Sequence, residues 1–391
     1  MCCLHRNPNR SQQGAALIIA MLVFALSATL LVALQREFSL ALQRGTNQLV
    51  SEQAWAYLVG AEELAKLALQ ADNLLDARSA TAADHLGELW AQPATPYPLD
   101  AGGWMTGQLT DLQGRINLNM LVDASAIQNS LSGGEGLADE NTESEGAGGE
   151  SESNGGEPIG VSEGVDEPRR ENESVRQRLG DEAGRWTPTQ KLLIRLLQAL
   201  NEVSLPLDEA MTLTEAISDF IDRDANRRQS GAEVDEYRYG DFPYLPANRA
   251  LASVSELRSV QGMTPEIYEA LAPLVTVWPE RNTRLNILTA PLPVLRTLNA
   301  DDQWAPLSVI DAERLAESRR EGGIAEVEDL LRSPILQGKP FAELEPLLDI
   351  RSDWFLLDAS VELVDRQRHL FTVLHRDADT TVAVFRSEGE L

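Results

Sequence analysis

The chain begins with its most apolar segment. A short leader containing Arg6 and Arg10 is followed by residues 15–34, which carry no charged side chain. An α-helix rises about 1.5 Å per residue, so a helix of this length spans about 30 Å, the hydrocarbon thickness of a bilayer. Basic residues before such a segment stay on the cytoplasmic side. The pattern predicts one membrane-spanning helix. A removable secretory signal fits less well, because the apolar run is long and LQREF after it is a poor cleavage site.

The helical pattern continues beyond the membrane segment. Residues 35–70 contain no proline, and apolar residues recur at approximately helical spacing with charged residues between them. We therefore expect one long helix, with its first half in lipid and its second half packed on a soluble domain. The alternative is two helices with a break near Gly45, because glycine lowers helix stability by about 1 kcal/mol relative to alanine.

After residue 100 the sequence pattern predicts one extended segment, then several helices and finally three strands. Residues 104–121 predict a strand or a hairpin with its turn at Gln113 and Gly114, and residues 311–331 resemble half of a helix-hairpin-helix module. Four further segments predict helices: 189–203, 206–221 with Asp208 as N-cap, 253–277 and 289–298. Three strands are predicted at 354–364, 368–376 and 380–388, and they indicate a small antiparallel sheet.

Composition separates one segment from the rest. Residues 132–174 are rich in Gly, Ser and Glu and contain almost no large apolar side chains. Such a segment cannot bury enough surface to offset the entropy lost on ordering, so we expect a disordered acidic loop. A role in buffering calcium or binding a partner is the functional alternative for this loop.

Charge and residue types exclude several classes of function. The formal net charge is −28, which opposes binding to nucleic-acid phosphates. Both cysteines, Cys2 and Cys3, precede the apolar segment, and the four histidines do not have metal-ligand spacing. The sequence also lacks a nucleophile elbow and a phosphate-binding loop, so we expect no enzymatic activity.

A possible cation site follows the predicted helix 206–221. In the stretch DRDANRRQSGAE, the residues Asp222, Asp224, Asn226 and Glu233 occupy positions 1, 3, 5 and 12, which is the ligand spacing of an EF-hand loop. Arg227 replaces the glycine of position 6, so a standard EF-hand is not expected. A related calcium loop stays open, and Asp235 and Glu236 are close enough to join it. The alternative is a solvated acidic loop held by nearby arginines.

Gly14 stands directly before the apolar helix, behind the short basic leader. This arrangement resembles the type IV prepilin signal, which implies cleavage after Gly14 by prepilin peptidase and N-methylation of Ala15. Members usually carry glutamate at the fifth mature position, which is Ile19 here. That departure resembles the minor pseudopilin K family of type II secretion systems. A carboxylate in hydrocarbon without a partner is costly, and a subunit at a filament tip has no neighbour above it to satisfy.

Several motifs extend this resemblance over the whole chain except residues 132–174. They are GRINLNML at 114–121, GAEVDEY at 231–237, PYLPANRALASVSELRSVQGM at 243–263 and LNILTAPLPVLRTL at 285–298. The resemblance implies an α+β fold: a pilin-like long N-terminal helix packed on a small antiparallel sheet, with a large inserted α-helical domain containing helix-hairpin-helix-like segments. The expected boundaries are a leader at 1–14, a transmembrane part at 15–34, the amphipathic helix and first strand at 35–122, the inserted domain at 123–345 and the last strands at 346–391.

The resemblance also implies function and surroundings. We expect a single-pass inner-membrane protein with a periplasmic C-terminal domain that caps the pseudopilus tip, initiates its assembly and supports export of folded proteins. The implied partners are the minor pseudopilins I and J, then H and the major pseudopilin G, together with prepilin peptidase. Family members bind calcium through the helical domain, which favours a structural calcium site in the loop that contains Asp222, Asp224 and Glu233. The alternative function is a membrane-anchored periplasmic helix-hairpin-helix protein that binds DNA.

Overall fold

A computed structural model describes residues 12–77, 82–93, 95–100, 102–122, 185–239 and 243–389. The leader up to residue 11 and the predicted acidic loop 132–174 lie outside the described residues. The α-helices are α1 Gln12–Asp76, α2 Pro188–Ala199, α3 Leu207–Ile221, α4 Val234–Arg238, α5 Pro265–Leu271, α6 Leu292–Leu295, α7 Val309–Arg320 and α8 Val327–Leu331. The strands are β1 Tyr97–Pro98, β2 Trp104–Asp111, β3 Ile116–Asn117, β4 Val275–Thr276, β5 Leu285–Asn286, β6 Leu348–Asp349, β7 Trp354–Leu363, β8 Arg366–Arg376 and β9 Thr381–Ser387.

Helix α1 is continuous from Gln12 to Asp76. The predicted single helix is therefore confirmed, and the alternative break near Gly45 is wrong. One glycine lowers helix stability by about 1 kcal/mol relative to alanine. The continuous backbone hydrogen bonds of a 65-residue helix outweigh this loss. Among the described residues, α1 is the helix long and apolar enough to cross a membrane, and its most apolar stretch has no buried residue.

The chain divides into two compact units. The first contains residues 1–64, 94–107 and 358–370, and in it helix α1 packs on the strands. Arg366 Nη2 donates a hydrogen bond of 2.6 Å to Asn47 Oδ1, and Arg368 Nη1 donates one of 2.6 Å to Ser51 Oγ. Small and apolar side chains are buried in this unit: Ala54, Leu58, Ala61, Ala359, Val361 and Leu363.

A five-stranded sheet has the strand order β1-β2-β7-β8-β9, with β1–β2 and β8–β9 antiparallel. The three predicted C-terminal strands are confirmed with small shifts of their ends. Strands β7 and β8 are joined at Val364 and Asp365, which both have positive φ, as a type I′ hairpin turn requires. Positive φ is strained for a β-branched residue such as Val364.

Of the two alternatives predicted for residues 104–121, the strand is confirmed as β2 and the hairpin is wrong. Strand β2 ends at Asp111, and β3 pairs in parallel with β4 instead of folding back on β2. The physical reason is local: Asp111 Oδ1 accepts a hydrogen bond of 2.7 Å from the Gln113 amide, an Asx-type turn that takes the chain out of the sheet.

The second unit, residues 65–93, 108–357 and 371–391, holds the main hydrophobic core. Helix α2 begins with a capping box between Thr187 and Gln190. Helix α3 has Pro206 at its N-cap, so the predicted N-cap Asp208 is wrong; Asp208 lies in the first turn, where its charge favours the positive helix end. The predicted helices 253–277 and 289–298 are shorter, limited to α5, α6 and 3₁₀ turns such as Val254–Ser259.

Helices α7 and α8 form the expected hairpin around Gly322, whose φ of 75° favours glycine. Two of its arginines donate hydrogen bonds to backbone carbonyl oxygens. Arg319 Nη1 donates to the carbonyl oxygens of Ile287 at 3.1 Å and Ala290 at 2.6 Å, and Arg320 Nε donates to that of Ala316. A DNA-binding hairpin needs such groups for phosphates, so this geometry disfavours the DNA-binding alternative.

Candidate functional site

Three acidic residues of the predicted cation loop meet after helix α3. Asp222 is the C-cap of α3, Asp224 lies two residues later, and Glu233 is the N-cap of α4. Each offers one carboxylate oxygen, and these three oxygens lie within 4.8 Å of one another. Loop residues between two helix ends thus bring together three of the six predicted ligands.

Three carboxylate oxygens of this site have no hydrogen-bond partner among the described residues. Asp222 and Glu233 are only 4% and 6% exposed. Asp222 Oδ1 and both carboxylate oxygens of Glu233 are buried and accept no hydrogen bond among the described residues. Buried carboxylate oxygens without donors are expensive, whereas a hard cation takes six to eight oxygen ligands. The donor set therefore fits calcium.

The electrostatics of the site agree with this chemistry. Burial, followed by the charges of Asp222 and Asp219, raises the pKa of Glu233 to about 7. Burial also raises the pKa of Asp222 to about 6, although Arg228 opposes the shift. Arg228 Nη1 bridges Asp219 and Asp222 from one side, so one oxygen of Asp222 is already paired. Protein charges alone thus leave the carboxylates of this loop incompletely neutralised.

The structure gives the other three predicted ligands different surroundings. Asn226 is exposed, and its backbone amide donates a 2.8 Å hydrogen bond to Asp224 Oδ1. Asp235 is exposed on α4. Glu236 accepts from the Glu233 amide at 3.0 Å and pairs with Arg227 at 2.6 Å. Asp235 and Glu236 are not part of the acidic triad.

Gly231 fixes the course of the loop. A Cβ atom at this position would overlap the buried carboxylate of Asp219, which also accepts hydrogen bonds from the Arg228 amide and side chain. The close approach of backbone to carboxylate requires glycine here, and it brings the chain back toward Glu233.

A second acidic cluster, absent from the sequence-based predictions, lies elsewhere in the same unit. Carboxylate oxygens of Asp72, Asp84 and Glu88 also lie within 4.8 Å of one another. Here a cation is already supplied by the protein: the Arg376 guanidinium contacts Asp72 at 3.0 Å and Asp84 at 2.5 Å, and donates to the Ser352 carbonyl at 2.6 Å. This cluster is an internal ion network, whereas the loop cluster retains unpaired oxygens.

Glu88 gives this ion network a pH dependence. Burial, then the charge of Asp72, raises its pKa to about 8, and Trp90 Nε1 donates to its Oε2 at 2.5 Å. A raised carboxyl pKa means that the folded chain binds the proton more tightly than the unfolded chain. The stability that the protonated Glu88 carboxyl group contributes is therefore complete below about pH 4.5, and it is lost as the pH rises through 8.

We expect Glu88→Gln to stabilise the protein at pH 8 by about 1–3 kcal/mol and to have little effect at pH 5, because glutamine resembles the protonated acid and keeps an acceptor for Trp90. Thermal unfolding of both proteins from pH 5 to pH 8 measures the difference. Exposed Glu321→Gln is the control and should change stability little at either pH. An equal effect of Glu88→Gln at both pH values would contradict this assignment.

The family-like motifs supply buried hydrogen bonds that join distant loops. Asn119 of GRINLNML donates from Nδ2 to the carbonyls of Leu251 and Val277, and accepts from the Leu251 amide. Asn286 of LNIL donates to Asp111 Oδ2 at 3.2 Å and to the Asp84 carbonyl at 3.0 Å. These asparagines are structural cross-links of the second unit.

Comparison with known proteins finds matches that carry one family description. Two family models, both described as type II secretion system protein K, match residues 174–280 and 285–351. The chain is 28% identical to type II secretion system protein K of Pectobacterium carotovorum over 383 residues, covering 97% of each chain. It is 27% identical to the protein of the same name from Pseudomonas aeruginosa over 377 residues, covering 96% of this chain and 92% of the relative.

A solved structure shares the fold. The crystal structure of the GspK-GspI-GspJ complex from the enterotoxigenic Escherichia coli type 2 secretion system contains a chain that matches with a TM-score of 0.60 and 22% identity. The match covers 89% of this chain and 100% of that chain. At this identity the likeness establishes the α+β fold with its long N-terminal helix and antiparallel sheet.

The chain has one apolar helix that continues into an α+β fold with additional helices. This arrangement is typical of the pseudopilins of type II secretion systems. Within that class, both matching family models and both relatives are described as type II secretion system protein K. The DNA-binding alternative receives no support from these relatives.

Proposed function

We propose that the protein is the minor pseudopilin at the tip of a type II secretion pseudopilus, where it initiates assembly and supports export of folded proteins across the outer membrane. The single observation that carries this proposal is helix α1. It presents exposed apolar side chains from Leu17 through Leu34, and again at Phe38, Leu42 and Leu49. This surface needs lipid or other helices around it.

The proposed position at the tip follows from residue type and size. Ile19 stands where pilin-type subunits carry a membrane-buried glutamate, and it is exposed on α1. A subunit with no neighbour above it has no charge to neutralise, and an apolar residue avoids the cost of an unpaired carboxylate in hydrocarbon. The described part of 185–345 adds a large domain after β3, too bulky for the interior of a filament.

The proposed surroundings are the inner membrane, with the C-terminal domain in the periplasm. Arg6 and Arg10 precede the apolar segment, which favours a cytoplasmic N-terminus. The proposed partners are the minor pseudopilins I and J, followed by H and the major pseudopilin G. The related chain named above was crystallised as a GspK-GspI-GspJ complex, which supports the first two.

Co-purification tests the proposed partners. We expect the full-length chain, co-expressed with minor pseudopilins I and J of the same secretion system, to purify as a complex with both. Leu42→Asp places a charge on the exposed apolar surface of α1 and should reduce recovery of the complex about tenfold or more. Gln43→Asp, at the adjacent exposed position, is the matched control. Recovery of the chain without I and J would contradict the proposal.

We further propose that Asp222, Asp224 and Glu233 hold a structural calcium ion. The buried oxygens without donors and the raised pKa values of Asp222 and Glu233 support it. Calcium supplies positive charge that holds otherwise repelling carboxylates together. The residues of this chain do the rest: Arg228 orients Asp222, and Gly231 lets the loop pass Asp219.

A further inference from the structure

A cavity of about 480 Å³ in the second unit lies apart from both acidic clusters. Its wall combines side chains from strands β4, β7 and β8 with those of helix α5 and the turns on either side of it. Most of this wall is apolar and includes Tyr268, Ala272, Val275, Leu356, Phe371 and Val373. The volume is within the range of pockets that hold small organic ligands.

Arg115 is the unusual member of the wall. Its side chain donates no hydrogen bond and forms no ion pair with the residues that the structure describes, although it is half-buried. Burial lowers the pKa of its guanidinium, and only the charge of Asp111 opposes this shift. The Asp111 carboxylate is occupied by other donors, including Gln113 and Ser352. The described residues therefore supply no acceptor to this guanidinium, which is half-buried.

The other polar groups of the wall do not satisfy Arg115. Arg258 lies over the Tyr268 ring at 4.3 Å from its centroid, and Glu269 is exposed. Trp278 also lines the cavity, and its buried Nε1 has no acceptor among the described residues. A ligand bearing acceptor oxygens would satisfy the buried Trp278 Nε1 and would form charge-assisted hydrogen bonds with the half-buried Arg115 guanidinium.

We propose that this cavity binds a carboxylate joined to an apolar group, with Arg115 holding the carboxylate and the apolar wall covering the remainder. A carboxylate matches the planar fork of a guanidinium and carries the opposite charge. A free organic acid and the C-terminus of a peptide ending in an apolar residue share this chemistry. The proposal goes beyond assembly of the pseudopilus and does not depend on it.

The probe is N-acetylphenylalanine, with its uncharged amide as the matched control ligand. Titration calorimetry with the full-length protein in detergent is expected to show binding of the acid and at least tenfold weaker binding of the amide, because the charge-assisted hydrogen bonds are lost. A tetrapeptide that ends in phenylalanine with a free carboxylate distinguishes the two sources, since tighter binding of the peptide indicates a chain terminus. Equal binding of acid and amide, or no binding of either at millimolar concentration, overturns the proposal.

Two variants separate the anion site from the cavity. Arg115→Gln should weaken binding of the acid about tenfold or more and leave binding of the amide unchanged. Ala272→Phe fills the cavity without changing charge and should abolish binding of both ligands. Thermal unfolding of each variant confirms that it is folded, and the cavity-filling variant keeps the test valid if Arg115→Gln unfolds. Unchanged binding of the acid in both variants overturns the assignment.

Discussion

Removal of calcium with a chelator is expected to lower the unfolding temperature of the protein by about 5–10 °C. A ligand present at about 100 times its dissociation constant stabilises the folded state by about 2.7 kcal/mol, and each kcal/mol corresponds to about 2–4 °C for a domain of this size. The effect is large because chelation exposes the mutual repulsion of Asp222, Asp224 and Glu233, whose oxygens lie within 4.8 Å. Differential scanning calorimetry with chelator and with restored calcium measures it.

Two variants assign the effect to the loop. Glu233→Gln should abolish the response to calcium, because both buried oxygens of this carboxylate lack other partners. In the absence of calcium the same variant should be at least as stable as the parent protein, since Glu233 is costly to ionise in the folded state. Asp235→Asn removes an exposed carboxylate two residues away and should keep the full response. Insensitivity of the parent protein to chelation would defeat the proposed site.

Part of the cation loop could be predicted from the sequence pattern. Spacing alone brought Asp222, Asp224 and Glu233 into one group, since residues within one short loop cannot move far apart. Spacing could not separate Glu233 from Glu236, because that distinction depends on the start of helix α4. Its first turn directs Glu236 toward a backbone amide and Arg227, while Glu233 is turned inward.

The ion network of Arg376 had no signal in the sequence. Its members Asp72 and Asp84 are separated from Arg376 by about 300 residues, and no periodicity links them. Secondary structure was easier to predict where it depends on local pattern, as in helix α1 and strands β7 to β9. The failed hairpin at residues 104–121 depended on one side chain, Asp111, whose hydrogen bond to a nearby amide overrides the alternation of apolar residues.

Gly14→Ala is expected to block removal of the leader. Residue 14 lies within the range of helix α1, and peptidases bind their substrates in an extended form, so the helix must open at the bond that is cut. Glycine favours this opening by about 1 kcal/mol relative to alanine, and it leaves space for close approach of the peptidase to the backbone. Alanine removes both advantages. Co-expression with prepilin peptidase and intact-mass measurement of the membrane-extracted protein show whether the first fourteen residues remain.

Gln13→Ala separates the two causes. This change also raises helix propensity one residue earlier, but it leaves glycine at the proposed cleavage position. We expect Gln13→Ala to be processed and to yield a chain that begins with N-methylated Ala15, as the parent protein should. A block in both variants would assign the effect to helix stability. Normal processing of Gly14→Ala would contradict the proposed role of this glycine. An unprocessed parent protein would remove the reason for proposing a prepilin leader, and α1 would then be explained as a permanent anchor that retains its basic N-terminal residues.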